Sequence, residues 1–347
     1  MKKRIIGGGI LAVFTILMIV AGSRIKPVKQ ENIAEKEVKS SFKLGVILPS
    51  DETEDETKEH MDAIAEAAES SGISLSEIVW KERTGEGKAK GAARELLAED
   101  CTMILAANSC HAAEMTEFAE ENPEIHVITV TDTEILQRSE NLSTIQMDTK
   151  EACYIAGVAA GVKLKDLHEK GQIPEDDYQS DGKVKIGYVA KYEEERSREE
   201  CTQFLGGVRS VFSKVTMEIR YTGMRLDLDA EASAADTLIR SGCIMIGCNT
   251  ESSRVADVVA RARENKKKVW FIGYHNGEPD GSGSEYAGIV KEWPLYYREL
   301  FEAVAAEKEI PSVWKKGYEE NAVTIWLAKK GVVKGTRERI EKAGQIP

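Results

Sequence analysis

The sequence predicts an α/β fold of two Rossmann-like lobes with parallel sheets, preceded by an N-terminal hydrophobic leader. Three observations support this prediction. Short, nearly continuous apolar segments alternate with segments of helical periodicity, which is typical of parallel strands covered by helices on both faces. The alternating series occurs twice along the 347 residues, which is enough chain for two domains. An uncharged run from Ile5 to Gly22 follows three basic residues at the N-terminus.

The N-terminal segment predicts an extracytoplasmic protein. Positive charge before an apolar run keeps the N-terminus in the cytoplasm and directs export of the chain beyond the run. Residues 1–24 are therefore predicted to be a signal peptide or a membrane anchor, and residues 25–40 a polar tether. Cleavage near residues 21–23 and retention as an anchor both stay open. The expected location is the extracytoplasmic face of the cell membrane, anchored through this segment or secreted.

Charge and cysteine content argue against several function classes. The formal net charge of −12 argues against nucleic-acid binding, because an acidic surface repels phosphate. The six cysteines lack the C-x-x-C and Cys/His spacings of metal sites. Cys243 and Cys248 bracket one strand, which would hold their Cα atoms roughly 16 Å apart, beyond the ~7 Å limit of a disulfide. Cys101 and Cys110 fail in the same way. We expect buried free thiols; a disulfide framework is the alternative.

One glycine-rich segment resembles a cofactor-binding motif. Gly85, Gly87 and Gly91 lie between a strand and a helix, as in the G-x-G-x-x-G motif of dinucleotide-binding proteins, but with one residue too many. A true motif follows the first strand of its sheet, and this segment follows the second. We therefore expect a flexible loop and no cofactor.

The first lobe is predicted for residues 41–147 plus about 283–315. Its first unit is an apolar strand from Phe42 to Pro49, followed by a helix in which Met61 and Ile64 recur at helical spacing. The strands SEIVWKE and TMILAANS follow, each with a helix after it, and then the strand IHVITVTD. These units predict one parallel sheet.

The second lobe is predicted for residues 148–282 plus about 316–347. Its series begins with the helix ACYIAGVAAGVKLKDL and continues with the strands KVKIGYVA, TMEIRYTG, CIMIGCNT and KVWFIGYH, which alternate with helices. A glycine-rich segment, residues 277–285, separates this series from a final section. The chain is therefore expected to cross between the lobes near Asp148, near residues 277–283 and again nearer the C-terminus.

Polar side chains follow five of the predicted strands. Ligands of open parallel sheets bind at the carboxyl ends of the strands, and between two lobes that edge becomes a shared cleft. These loops are therefore the candidate binding site. The alternative is that their Ser, Thr, Asn and Asp residues serve as helix N-caps. The candidates are Ser50, Asp51, Asn108, Ser109, Tyr192, Asn249, Thr250, His275 and Asn276.

The sequence supplies no recognisable catalytic group. His275 is the most suggestive histidine, but its chain neighbours supply neither a nucleophile elbow nor a metal-ligand partner. Asp and Glu residues are scattered over helix faces, so no carboxylate pair can be assigned to acid/base chemistry. We expect a binding protein rather than an enzyme, with no metal or other cofactor.

Six segments carry a family resemblance: YIAGVAAG, IGYVAKY, QFLGGVRSV, CIMIGCNTESSRVADVV, VWFIGYH and IVKEWPLYY. Together they resemble the Bmp/PnrA family, the basic membrane protein group of solute-binding proteins that serve ABC transporters. The resemblance runs from about Phe42 to about Ala305 and is most specific from Leu142 to Tyr297. It implies a type I periplasmic-binding-protein fold, a hinged two-lobe clamp that binds purine nucleosides or related bases.

The resemblance also implies where a ligand would lie. Nucleoside binders of the family carry Asn-Asp at the start of the first helix; here Asp55 is kept and a glutamate replaces the Asn. Their ribose-binding Asp corresponds to His275, and Lys291 and Trp293 stand at polar and aromatic positions of a later turn. Base stacking is expected at Trp293 or Tyr192, with core packing as the alternative for Trp293. The departures argue against an ordinary purine nucleoside pocket.

The expected function is capture of a small polar solute between the lobes and its delivery to an ABC permease. The resemblance implies a purine nucleoside or nucleobase-like ligand. The alternative is a membrane-anchored sensor or regulatory protein that keeps the fold with an altered or lost ligand site. The absence of a cysteine for lipid attachment in or just after the leader, together with the replaced pocket residues, favours this alternative.

Overall fold

The structure, a computed structural model, describes residues 42–133, 135, 139–277 and 284–345. Its described strands are β1 (Leu44–Ile47), β2 (Ile78–Lys81), β3 (Met103–Ala106), β4 (His126–Val130), β5 (Leu142–Met147), β6 (Val184–Ala190), β7 (Val215–Tyr221), β8 (Cys243–Cys248), β9 (Trp270–Asn276), β10 (Glu285–Lys291), β11 (Val313–Lys316) and β12 (Val323–Leu327). Its described helices are α1 (Asp55–Ser70), α2 (Ala89–Ala98), α3 (Ala112–Glu121), α4 (Lys150–Glu169), α5 (Glu195–Val211), α6 (Leu228–Arg240), α7 (Arg254–Glu264), α8 (Trp293–Ala305) and α9 (Thr336–Ala343).

The strands form two six-stranded sheets, which confirms the predicted α/β fold. The first sheet has the order β11-β5-β4-β3-β1-β2, and all of its pairs are parallel. The second has the order β12-β10-β9-β8-β6-β7 and is parallel except for the β10/β12 pair. The carboxyl ends of the parallel strands of each sheet therefore lie along one edge.

Apolar strands are buried because helices cover both faces of the first sheet. Leu44 and Val46 of β1 belong to one buried cluster with Ile64 of α1. Ile47, on the opposite face of the same strand, belongs to a second cluster with Phe118 of α3. This two-sided burial is why the strands read as nearly continuous apolar runs rather than as alternating ones.

The C-terminal section is divided between the sheets differently from the prediction. The strand Glu285–Lys291, expected in the first lobe, pairs with β9 and β12 in the second sheet. The helix that follows it, α8, packs on α1, and β11 joins the first sheet before β12 returns to the second. The chain therefore crosses to the first sheet after Lys291 and not near residues 277–283 as predicted. The reason is that the apolar strand Glu285–Lys291 pairs within the second sheet.

Residues Ser41–Pro347 form one compact unit. The predicted leader and tether, residues 1–24 and 25–40, lie outside the described residues. Within the described ranges, no helix is long and apolar enough to cross a membrane. The six cysteines are free thiols; Cys110 is half-buried and the other five are buried.

The glycine-rich segment before α2 is held by protein groups. The backbone N–H groups of Gly87 and Lys90 donate to the carboxylate of Glu114, at 2.8 and 3.3 Å. In a dinucleotide-binding motif, the corresponding N–H groups at a helix start would face a phosphate. Here a side chain of α3 takes the place that a phosphate would need.

Helices α4 and α5 pack with their backbones in contact. A Cβ atom added at Gly157 of α4 would lie 2.1 Å from the carbonyl oxygen of Phe204, and one at Gly207 of α5 would lie 1.9 Å from the carbonyl oxygen of Tyr154. Because only glycine lacks a Cβ, both positions require it. The close packing holds α5 against α4, and the first turn of α5 lies at the edge where the strands end.

We expect Gly207→Ala to lower the free energy of unfolding by about 1–3 kcal/mol, because the new methyl group would overlap a backbone carbonyl. The adjacent Gly206 is the matched control, since a Cβ there would lie 3.8 Å from the Tyr154 ring, an ordinary contact. Gly206→Ala should leave stability unchanged or raise it by up to about 1 kcal/mol through helix propensity. Urea unfolding measures both variants, and equal stabilities would contradict the close helix packing.

Candidate functional site

A polar cavity of about 290 Å³ lies between the carboxyl edges of the two sheets. From the first sheet and its helices it is lined by Glu56, Asn108, Ser109, Asp132 and Trp293, among others. From the second sheet and its helices it is lined by Lys191, Tyr192, Arg196, Arg225, Glu251, Tyr274 and Lys291, among others. The edge predicted from strand polarity is therefore the edge where a cavity forms.

Two lysines share one carboxylate in the wall of this cavity. The ammonium nitrogens of Lys191 and Lys291 each lie 2.9 Å from Oε1 of Glu251. The Glu251 side chain is only 10% exposed, and burial alone would raise the pKa of its carboxyl. The positive charges of Lys191 and Lys291 outweigh burial and hold the pKa of Glu251 well below its usual value. Glu251 is therefore an anion with two cationic neighbours.

The pKa of Glu56, in the first turn of α1, shifts in the opposite direction. Burial, followed by the negative charge of Glu251, raises the pKa of Glu56 from 4.5 to about 8, although Lys291 and Arg225 oppose the shift. The two carboxyl groups are hydrogen-bonded to each other. Glu56 therefore keeps its proton at neutral pH and donates it to the Glu251 carboxylate across the cleft.

Two arginines beside the second sheet reach residues beside the first sheet. Nη1 of Arg225 lies 2.6 Å from Oε1 of Glu54 and 2.9 Å from Oε2 of Glu56. Nη1 of Arg196 lies 3.1 Å from Oδ1 of Asp132, and its guanidinium also donates to the carbonyl oxygens of Asp132 and Met147, at 3.0 and 2.9 Å. Burial would raise the pKa of Asp132, but Arg196 and Lys191 outweigh it and lower the pKa. Each arginine thus connects the two sheets.

The aromatic ring of Trp293 in the cavity wall is packed against protein groups. The ring of Trp293 lies 4.3 Å from that of His60, and the ammonium of Lys291 lies 5.5 Å from its centroid. The indole nitrogen of Trp293 donates to Oδ1 of Asn276 at 2.8 Å. Burial, followed by the charge of Lys291, lowers the pKa of His60 to about 3, so its ring is neutral. Trp293 is 3% exposed, whereas Tyr192, at the cavity mouth, is 37% exposed.

A second cavity of about 520 Å³ shares Glu251 and Tyr274 with the first. It lies against α1 and α7, and it contains Asp55, His275 and Asn276. Nε2 of His275 is 2.6 Å from Oε1 of Glu285. The position that the family resemblance connects with ribose is thus occupied by a histidine with a carboxylate partner of its own.

The structure divides the predicted site residues into three groups. Asn108, Ser109, Tyr192, Lys291 and Trp293 line the first cavity; Asp55, His275 and Asn276 line the second. The remaining four, Ser50, Asp51, Asn249 and Thr250, line neither of these two cavities. Their role in binding stays a prediction.

Some of the predicted residues have structural partners. Asn108 caps a short helical turn, since its side chain accepts from the backbone N–H of Cys110 at 3.0 Å. Asp51 accepts from the backbone N–H of Thr53 and from the guanidinium of Arg83. Asn249 accepts from the backbone N–H of Lys191 at 3.0 Å. The capping alternative therefore applies to Asn108, and Asn249 supports the loop that carries Lys191.

Apart from Lys291, the charged groups of the cavity were not predicted. Lys191 and Glu251 directly follow predicted site residues or strand ends, so the strand-end rule could have included them. Glu56 lies in a segment of many acidic residues, and Arg225 lies in a loop without a motif. Nothing in the sequence distinguishes these two from ordinary surface charges.

The comparisons with known proteins agree with this geometry. The Bmp family profile, described as ABC transporter substrate-binding protein PnrA-like, matches residues 50–344. The chain belongs to this family. No match was found among curated proteins. The resemblance predicted from the sequence motifs is therefore confirmed, and the protein is an ABC solute-binding protein of the Bmp type.

Solved structures of other solute-binding proteins share the fold of this Bmp family member. One from Aeropyrum pernix is 13% identical with a TM-score of 0.70, over 88% of this chain and 86% of that one. One from Conexibacter woesei is 15% identical with a TM-score of 0.65, over 88% and 95%. A carbohydrate transporter protein from Agrobacterium radiobacter, in complex with D-arabinose, is 14% identical with a TM-score of 0.58, over 87% and 98%. At these identities the likeness shows the fold alone.

The proton on Glu56 gives a pH-dependent stability. A carboxyl whose pKa is raised on folding stabilises the protein at low pH, and this contribution is lost as the pH rises through the folded pKa. We expect the unfolding free energy to fall by about 1 kcal/mol between pH 7 and 8, and to become nearly independent of this group above the folded pKa. Glu56→Gln, which stays neutral and can still donate to Glu251, should flatten this slope.

Urea unfolding at several pH values between 6.5 and 8.5 measures the slope. The matched control is Glu66→Gln, an exposed position on the same helix α1, which should keep the wild-type slope. If Glu56→Gln and Glu66→Gln have the same slope as the wild type, Glu56 is not the group that holds the proton.

Proposed function

We propose that this Bmp family protein captures a small polar solute in the cavity between its two sheets and passes it to an ABC permease, without chemical turnover. The observation that carries this proposal is the cavity of about 290 Å³, to which the strand ends of both sheets contribute hydrogen-bonding side chains. Its volume is at the lower end of the range for small-molecule sites. A solute there would contact both sheets at once.

Contact with both sheets supports a clamp mechanism. The proposed lobes are residues 41–147 and 148–282. Of the C-terminal strands, β11 belongs to the first lobe, and β10 and β12 belong to the second. Three connections join the lobes, after Met147, after Lys291 and after Lys316. A solute that touches both lobes binds the closed form more tightly than the open one, and this difference in affinity drives closure by a hinge motion.

The proposed ligand is a purine nucleoside or a nucleobase-like compound. Tyr192 is the proposed stacking residue, because it is exposed at the cavity mouth while the ring of Trp293 is covered by His60 and Lys291. Asn108 and Ser109, at the end of β3, offer amide and hydroxyl groups to the edge of a base. We propose the second cavity, with Asp55, His275 and Asn276, for the polar remainder of a larger ligand.

The proposed location is the extracytoplasmic face of the cell membrane. The basic residues and apolar run of residues 1–24 support export, and residues 25–40 would give the folded unit reach from the membrane. A solute-binding protein held there would meet a permease in the same membrane. Anchoring and release are both compatible with this role.

A sensor or regulatory protein is the second candidate. The observation that favours it is that the charged groups of the cleft already pair with one another: Lys191 and Lys291 with Glu251, and Arg225 with Glu54. Such a cleft has its charges compensated by protein groups. A protein of this kind would bind no nucleoside and would signal through a partner.

Thermal unfolding of the folded unit Ser41–Pro347, with purine nucleosides, nucleobases and sugars, tests the proposal. A compound at about 100 times its Kd should stabilise the protein by about 2.7 kcal/mol, which is a readable rise in Tm. Tyr192→Ala should weaken the binding of a stacked base about fivefold, equivalent to about 1 kcal/mol. Tyr192→Phe, which keeps the ring, is the matched control and should retain binding.

The outcomes separate the two candidates. A rise in Tm with one class of compound establishes solute binding and identifies the class. A folded protein, free of co-purified ligand, whose Tm does not change with any compound contradicts the nucleoside proposal and favours the sensor. Binding that Tyr192→Ala leaves unchanged would place the solute elsewhere in the cleft.

A further inference from the structure

Arg225 connects two elements that lie far apart in the chain. It lies in the loop between β7 and α6 of the second sheet, and its guanidinium reaches the first turn of α1 beside the first sheet. Arg225 and Glu56 are 169 positions apart in the sequence. Its side chain is 23% exposed, and those of Glu54 and Glu56 are 10% and 8% exposed. This is a largely desolvated contact across the cleft.

The loop that carries Arg225 is hydrogen-bonded to Lys191 in the cavity wall. The backbone N–H of Gly223 donates to the carbonyl oxygen of Lys191 at 2.7 Å, and the hydroxyl of Thr222 donates to the same oxygen at 3.2 Å. Burial raises the pKa of the Tyr192 hydroxyl, and the nearby backbone of Arg225 opposes this shift. The loop that carries Arg225 is therefore held against the proposed ligand-binding residue Tyr192.

The acceptors on α1 are also fixed. Oε2 of Glu54 accepts from the hydroxyl of Thr57 at 2.7 Å, and Oε1 faces Arg225. Glu56 is buried and hydrogen-bonded to Glu251. When the lobes are together, the Arg225 guanidinium pairs with Glu54 and donates to Glu56, and opening would break both charge-assisted contacts, so they favour the closed arrangement.

We infer that Arg225 is a positioning residue that holds α1 of the first lobe against the second lobe, so that the protein itself stabilises the closed form of the clamp. This inference rests on the proposed two-lobe clamp. The contact lies between protein groups, and its stabilising effect needs no solute. Such a contact raises the fraction of molecules in the closed, binding-competent form. A larger competent fraction lowers the apparent Kd for a solute.

Arg196 provides an internal comparison. It also joins the lobes, but its partners include the carbonyl oxygen of Met147 and the hydroxyl of Thr149, which lie at the first connection between the lobes. Groups at a hinge move little when a clamp opens. The contacts of Arg196 with Met147 and Thr149 should therefore persist in both forms, whereas those of Arg225 should break on opening.

Small-angle X-ray scattering of the unit Ser41–Pro347 tests the inference. The protein is first unfolded in urea and refolded, which removes any bound compound. The wild-type radius of gyration should be about 19 Å, the value for a compact chain of this length. Arg225→Ala should raise it measurably, and Arg196→Ala should raise it less. The matched control is Arg240→Ala, because Arg240 pairs with Asp236 of its own helix, is exposed and lies away from the cleft.

Arg225→Lys, which keeps the charge, should restore part of the wild-type compactness, and circular dichroism checks that each variant folds. If Arg225→Ala does not fold, Glu54→Gln, which removes one acceptor on the first lobe, gives the same comparison. Equal radii of gyration for the wild type, the Arg225 and Glu54 variants and Arg240→Ala would overturn the inference. These measurements use no solute, so a failed ligand screen would leave them interpretable, and an open wild type would not contradict solute binding.

Discussion

The carboxylate of Glu251 is the group on which the cleft depends. It follows β8 and accepts from Lys191, which follows β6, and from Lys291, which ends β10. One side chain thereby ties together the ends of three strands of the second sheet. The protonated carboxyl group of Glu56, on α1, donates to Glu251 and extends the cluster to the side of the first sheet. Because a charge in a desolvated cleft is stable only when it is paired, each of these groups requires the others.

This mutual pairing decides what a solute can use. A charged ligand would have to displace a lysine or a carboxylate from an existing pair and leave its partner uncompensated. A neutral, hydrogen-bonding ligand has no such requirement, since it can bind to Asn108, Ser109 and the ring of Tyr192 at the cavity wall. We therefore expect the cleft to favour uncharged solutes, although its lining is rich in charge.

The strands and helices could be predicted because helices cover both faces of the first sheet and leave long apolar runs in the sequence. The exchange of C-terminal segments could not, because Glu285–Lys291 has the same pattern in whichever sheet it lies. The strand-end rule located Asn108, Ser109 and Tyr192 at the cavity. It could not identify Glu56 or Arg225, since their importance arises from a contact made only after folding. Local patterns report burial, and they do not report which distant charges meet.

The same distinction separates the two contacts that join the lobes. Arg196 lies in the first turn of α5, and α5 is held against α4 by the glycine contacts, directly after the first connection between the lobes. Chain connectivity and helix packing therefore place Arg196 near its partners. Arg225 and α1 have no such connection, and the closure of a long loop must be compensated by the contact itself. For this reason we expect the contacts of Arg225 to depend more strongly on the proposed angle between the lobes than those of Arg196 with Met147 and Thr149.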